Sequence, residues 1–195
     1  MPLPRPPYLL GNYYHFYNRG RSRLSIFHDE HDFMTAVQKI KKYVKDFSLA
    51  LIAYCLEPNH YHFLTRQDGE PEARLLPQRV FNSYAKTYNN RYKHTGTIFE
   101  GEYRVKLVDN ERYLRHLCRY IHANPVKDGF VQRPEDWLYS NYRDWIGLRN
   151  GELLDRPFIR QHFTTPVAYQ SYVAHYLRHR KLPVAVEKFI AELME

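Results

Sequence analysis

The segment SLALIAYCL, residues 48–56, is a nearly unbroken apolar run of strand length. It is far too short to cross a membrane as a helix, and turn residues bound it. It therefore reads as a buried central strand. Glu57-Pro58-Asn59 follows as a turn, since proline and asparagine interrupt regular structure there. HYHFLTR, residues 60–66, reads as the return strand of a hairpin. Strand side chains at i and i+2 share a face, so His60 and His62 point one way and Tyr61 the other.

The remaining segments arrange themselves around this hairpin. Residues 1–10 read as a loose arm, and YYHFYN (13–18) as an aromatic strand followed by the basic turn NRGRSR. DEHDFMTAVQKIKKYVKDF (29–47) begins with acids and sets Phe33, Val37, Ile40 and Val44 at helical spacing. A polar linker (67–73) leads to a helix over 77–92 carrying Val80, Tyr84 and Tyr88. IFEGEYRVKLVD (98–109) alternates like a strand. NERYLRHLCRYIHAN (110–124) has an asparagine cap signal and an apolar stripe, with Pro125 expected to end it. This order predicts an α+β fold, a ferredoxin-like or RRM-like antiparallel sheet flanked by helices. Beyond it, two helices near 166–180 and 183–194 form a helical C-terminal extension. The expected division is residues 1–145 and 146–195.

The formal charge is +8, from 29 Lys and Arg against 21 Asp and Glu, and the chain carries 18 tyrosines. A positive excess favours a polyanionic partner, and tyrosines can stack on bases while touching water. Cys55 and Cys118 are not paired in a C-x-x-C motif and read as reduced core residues of a cytosolic protein. No apolar run reaches membrane-spanning length. The expected setting is cytoplasmic and nucleoid-associated, with no membrane partner.

Two neutral imidazoles on one strand face supply two ligands of a minimal divalent-metal site. With 11 histidines in the chain, such a pair also arises by chance, so its context matters. RYIHANP (119–125) sets Tyr120 and Asn124 four apart on one helix face. Tyr120 is a candidate nucleophile and Asn124 a candidate third ligand, and the alternative is a core tyrosine with a helix-end asparagine. Tyr113, seven residues earlier, is the fallback nucleophile. His122 reads as a packing or surface residue, and His175 with His179 as surface histidines. Arg19, Arg21 and Arg23 are candidates for holding phosphates, or else form a solvated turn. Glu100 and Glu102 could serve the metal environment or simply be strand-face charge. Trp137, Tyr139 and Tyr142 are expected to dock the extension on the core.

PNHYHFL followed by RYIHANPVKDGFV, with YYHFYNRGRSRLSIF before and PEDWLYSNYRDW after, resembles the HUH single-tyrosine transposases, in particular the REP-associated tyrosine transposases. The resemblance covers roughly residues 10–145. It implies that His60, His62 and Asn124 bind Mg²⁺ or Mn²⁺ and that Tyr120 is the catalytic nucleophile. It implies nicking of single-stranded DNA hairpins through a covalent 5′-phosphotyrosine intermediate, then strand transfer, by a monomer or homodimer. The alternative is a non-catalytic hairpin-binding protein of the same fold.

Overall fold

The computed structural model describes residues 5–70 and 72–194. Strand β1 (Tyr13–Arg19) leads through a short basic turn to α1 (Glu30–Asp46), then β2 (Leu49–Glu57), β3 (His60–Gln67), α2 (Leu75–Tyr92), β4 (Arg104–Val108) and α3 (Glu111–Lys127). The strands form one antiparallel sheet in the order β2-β3-β1-β4. This is the ferredoxin-like α+β arrangement that the element order predicts. Asp29 caps α1 by accepting from the Asp32 amide, and Asn110 caps α3 by accepting from the amides of Arg112 and Tyr113.

Strand alternation sorts the core into two layers. Tyr14, Phe16, Tyr61 and Phe63 face α1 and α2, where Phe81 stacks on Tyr61 at 3.8 Å. The opposite face carries Ala53, Cys55 and Leu64 against α3 and the C-terminal helices. Those are α4 (Tyr142–Trp145), α5 (Arg156–His162), α6 (Pro166–His179) and α7 (Val184–Met194). These C-terminal helices and the residue that follows α5 supply Trp145, Phe158, Phe163 and Tyr169 to this second layer. Trp137 donates its indole N–H to the Leu56 carbonyl at 2.9 Å, and Tyr139 stacks on Phe33 at 3.9 Å, so these two rings dock the extension.

Four expectations need correction. β2 is an edge strand, not a central one. It is nonetheless buried because residues 139–141 close its outer edge, with the Leu56 amide donating to the Tyr139 carbonyl at 3.0 Å. The strand expected over 98–109 is only Arg104–Val108, because the pairing register with β1 shifts across residues 101–103: Tyr17 pairs with Arg104, but Gly20 pairs with Phe99 in an isolated bridge. The arm is tied down from Arg5 onward: the Tyr14 hydroxyl donates to the Pro7 carbonyl and accepts from the Leu9 amide. Residues 1–4 of that arm lie outside the described residues. Finally, α3 runs through Pro125 to Lys127. Proline removes only one donor so near the end, and the Asp128 amide still reaches the Asn124 carbonyl at 2.8 Å.

A bulge between Leu51 and Ala53 frees the Ile52 carbonyl from the ladder. A buried carbonyl left unpaired costs about 1–3 kcal/mol. Asn141 donates to it at 2.9 Å and the Trp145 indole at 3.1 Å. The Asn141 side-chain oxygen in turn accepts from the Tyr54 amide and meets His122 Nε2 at 2.8 Å, while His122 Nδ1 meets the Tyr169 hydroxyl at 2.5 Å. His122 is thus a buried bracket between α3, α6 and the sheet edge. Among the described residues no helix is long and apolar enough to cross a membrane.

Burial pushes His122 down to about 4, and the buried His15 and His60 down to about 3 and about 4. Below the ordinary histidine range the unfolded chain takes up protons that the folded chain refuses, so stability falls with falling pH. The buried carboxyl of Glu57, raised to about 8, acts in the opposite sense but is one group against at least three. Urea unfolding at pH 7, 6 and 5 should therefore show a steady loss, each histidine adding up to about 1.4 kcal/mol per pH unit. A flat profile over that range would contradict the buried neutral histidines.

Candidate active site

The site lies on the sheet face covered by α3. The register places Glu57, His60 and Arg19 side by side across β2, β3 and β1, and the next row of that face holds Cys55, His62, Tyr17 and Arg104. Tyr120 descends from α3, and its ring meets His62 edge-on at 5.7 Å. The two imidazoles of His60 and His62 lie 5.3 Å apart at 88°. Their shared face, expected from spacing, is realised, and Tyr120 stands over it.

His60 is held by its neighbour: Nδ1 lies 2.8 Å from the Asn59 side-chain oxygen. That oxygen only accepts, so Nδ1 carries the hydrogen and Nε2 presents a lone pair. His60 Nε2 faces Glu57 Oε2 at 3.6 Å and Asp128 Oδ2 at 3.9 Å. These three residues are the one group of acidic and imidazole donors drawn within 4.8 Å of one another among the described residues. Asn124 is fully buried on the same helix as Tyr120.

Several of these atoms are buried and lack a hydrogen bond of good geometry: His60 Nε2, His62 Nε2, Glu57 Oε2 and both amide atoms of Asn124. Leaving so many buried polar atoms unsatisfied in one place is costly. The two imidazole nitrogens, the Glu57 carboxyl oxygen and the Asn124 amide oxygen are atoms of the kind that Mg²⁺ or Mn²⁺ accepts, whereas the Asn124 amide nitrogen can only donate a hydrogen bond. The donor chemistry therefore fits a divalent cation; the group drawn together is Glu57, His60 and Asp128, which shares His60 but not His62 with the set anticipated from sequence.

The nucleophile candidate is a phenol at rest. Burial pushes the Tyr120 hydroxyl above its ordinary range, Asp128 and Glu57 push it further, and the neighbouring Asn124 amide pulls the other way. Lys127, two turns on, places Nζ 3.4 Å from the hydroxyl and 4.9 Å from the ring centre. An ammonium there favours any negative charge that develops on the oxygen.

Outside this layer the surface opens into a cavity of about 510 Å³ bordered by Tyr17, Arg19, Arg23, Asn59, His60 and Asp128. Arg19 is ion-paired with Glu100, so that acid neutralises an arginine at the cavity edge. Glu102 pairs instead with Arg5. Arg21 is exposed and does not line the cavity. Tyr113 packs its ring 5.8 Å from Phe189 of α7, at the far end of α3 from Tyr120. His175 and His179 lie on the exposed face of α6. Sequence reasoning missed Glu57, Asp128 and Lys127. Glu57 stands three residues before His60, in a stretch whose Pro58-Asn59 reads as a turn. Lys127 and Asp128 were placed beyond a helix thought to stop at Pro125.

The fold and site together define a ferredoxin-like protein with a buried histidine pair beneath a helical tyrosine. The family model described as "Transposase IS200 like" matches residues 9–124, more than half of the chain, and the chain belongs to that family. The match spans β1 through Asn124. The REP-associated tyrosine transposase of Escherichia coli K12 is 25% identical over 126 residues, covering 57% of this chain and 70% of that protein. A Haemophilus influenzae protein provisionally given the same name is 26% identical over 117 residues, or 52% of this chain and 64% of that one. The match thus spans just under two thirds of the Haemophilus relative. A solved REP-associated tyrosine transposase bound to a REP hairpin superimposes with a TM-score of 0.63 at 21% identity, over 80% of this chain and 94% of that one. At that identity the likeness speaks for the fold.

Wild-type protein should gain thermal stability in saturating Mn²⁺, and more at pH 8 than at pH 6, because ligands must shed protons to bind. Glu57→Gln should lose most of that gain in a thermal-shift titration. A gain unchanged in Glu57→Gln would remove Glu57 from the site.

Proposed function

We propose that the chain nicks and rejoins single-stranded DNA beside hairpins of the REP type through a covalent bond to Tyr120. The observation that carries this reading is the layering: the His62 ring, beside His60 on β3, meets the Tyr120 ring, and buried atoms of His60, His62 and Glu57 lack hydrogen-bond partners. The family match and the hairpin complex of the structural relative support the choice of DNA as substrate.

In this reading the phenolic oxygen of Tyr120 attacks a phosphodiester in line. A Tyr–O–P bond forms and the bond from phosphorus to the 3′ oxygen breaks, leaving a free 3′ hydroxyl and a 5′-phosphotyrosine. His60 and His62 would hold the divalent ion, Mg²⁺ or Mn²⁺, with Asn124 and the nearby carboxylates as further ligands. When bound, the ion neutralises charge on the scissile phosphate and orients it. Lys127 stabilises the phenolate as the proton leaves. The deep burial of Tyr120 keeps the resting nucleophile protonated. Arg19 and Arg23 line the cavity edge, and in this reading they contact backbone phosphates of the flanking strand. Attack by a DNA 3′ hydroxyl on the phosphotyrosine reverses the step and transfers the strand without an external energy source.

Incubating the protein with end-labelled single-stranded hairpin oligonucleotides and Mn²⁺ should give a band that resists denaturation and runs as protein plus DNA. Tyr120→Phe should abolish both the adduct and the nick. Cleavage that persists in Tyr120→Phe would point to hydrolysis by water. Tight hairpin binding by wild type with no cleavage would leave the non-catalytic binding module.

A further inference from the structure

The tautomer of His60 is fixed by an atom that can only accept, the Asn59 side-chain oxygen. His62 has a different partner. Its Nδ1 lies 3.0 Å from Nε2 of His15, which comes from the middle of β1. The two rings stack with centroids 5.2 Å apart at 26°, and both side chains are completely buried. His15 Nδ1 and His62 Nε2, the outer nitrogens of this pair, have no hydrogen-bond partner.

One hydrogen lies between the two inner nitrogens, and there are two ways to place it. If His15 donates it, neutral His62 must carry its own hydrogen on Nε2, and that nitrogen cannot ligate. If His62 donates it, its Nε2 presents a bare lone pair toward Tyr120 and His60. Only the second arrangement suits a metal ligand. Partners of this kind orient metal-bound histidines and strengthen them as ligands.

We propose that His15 is a positioning residue: it accepts the Nδ1 hydrogen of His62 and so holds the Nε2 lone pair of His62 in the metal site. The proposal rests on the reading of His62 as a ligand. It extends the site from β3 to β1 and assigns a role to a buried imidazole that packing alone does not call for.

Two variants separate positioning from packing. His15→Gln retains an acceptor at similar reach, whereas His15→Leu fills the space without one. Mn²⁺ affinity is read by calorimetric titration of the folded proteins, and the hydrogen position on His62 by long-range ¹H–¹⁵N spectra of wild type with Mg²⁺. The expected result is Mn²⁺ binding weakened about tenfold or more in His15→Leu and largely kept in His15→Gln. His62 should carry its hydrogen on Nδ1. Wild-type affinity in His15→Leu, or equal loss in both folded variants, would overturn the proposal. Should His15→Leu fail to fold, a spectrum showing His62 protonated on Nε2 would overturn it as well. Wild-type protein that binds neither ion would instead overturn the ligand reading of His62 itself, a failure distinct from one confined to the variants.

Discussion

Strand β3 is covered on both faces, and the site follows from that. One face packs Tyr61 and Phe63 against α2, and the other turns His60, His62 and Leu64 under α3. Alternation then forces two imidazoles into a layer from which water is excluded. Desolvation dominates the shifts of the buried groups there. His15 and His60 are held neutral far below their ordinary range, Glu57 is pushed up to about 8, and the Tyr120 phenol is pushed higher still. A layer of neutral donors with unsatisfied lone pairs is unfavourable by itself. A divalent cation would satisfy those lone pairs, and a phosphate delivered with it would face the phenol.

The second support is the length of α3. Because the helix continues past Pro125, Lys127 returns to the face of Tyr120, and Asp128 lies just beyond it beside His60. The tyrosine thus sits between a cation, which favours its ionised form, and two acids, which oppose it. The C-terminal segment covers the outer side of this arrangement through the bracket of His122, Asn141 and Tyr169. The same Asn141 closes the bulged edge of β2, so the extension is built into the layer that buries the site.

Much of this was legible in the sequence. The hairpin, the capped helices and the pairing of His60 with His62 follow from local rules of periodicity and turn chemistry. What was not legible depends on long-range closure. β2 looked central because its sequence is almost entirely apolar, but an edge strand can be equally buried when a later segment covers it. Glu57 looked like a turn residue because only the register with His60 reveals its role. His15 carried no signal at all, since nothing local predicts that β1 will lie beside β3. Pro125 looked like a stop, and the surviving bond from the Asp128 amide shows why it was not.

The central claim is that Tyr120, and no other group, takes the DNA. Trypsin should release Tyr120–Lys127 as YIHANPVK, which holds a single tyrosine, while Tyr113 leaves in a separate fragment, YLR. Mass spectrometry of nuclease-trimmed, trypsin-digested adduct should find a nucleotide phosphate on Tyr120 in YIHANPVK, or in HLCRYIHANPVK if the modification blocks cleavage after Arg119. The modification on the Tyr113 fragment, or on any other peptide with this one unmodified, would contradict the account.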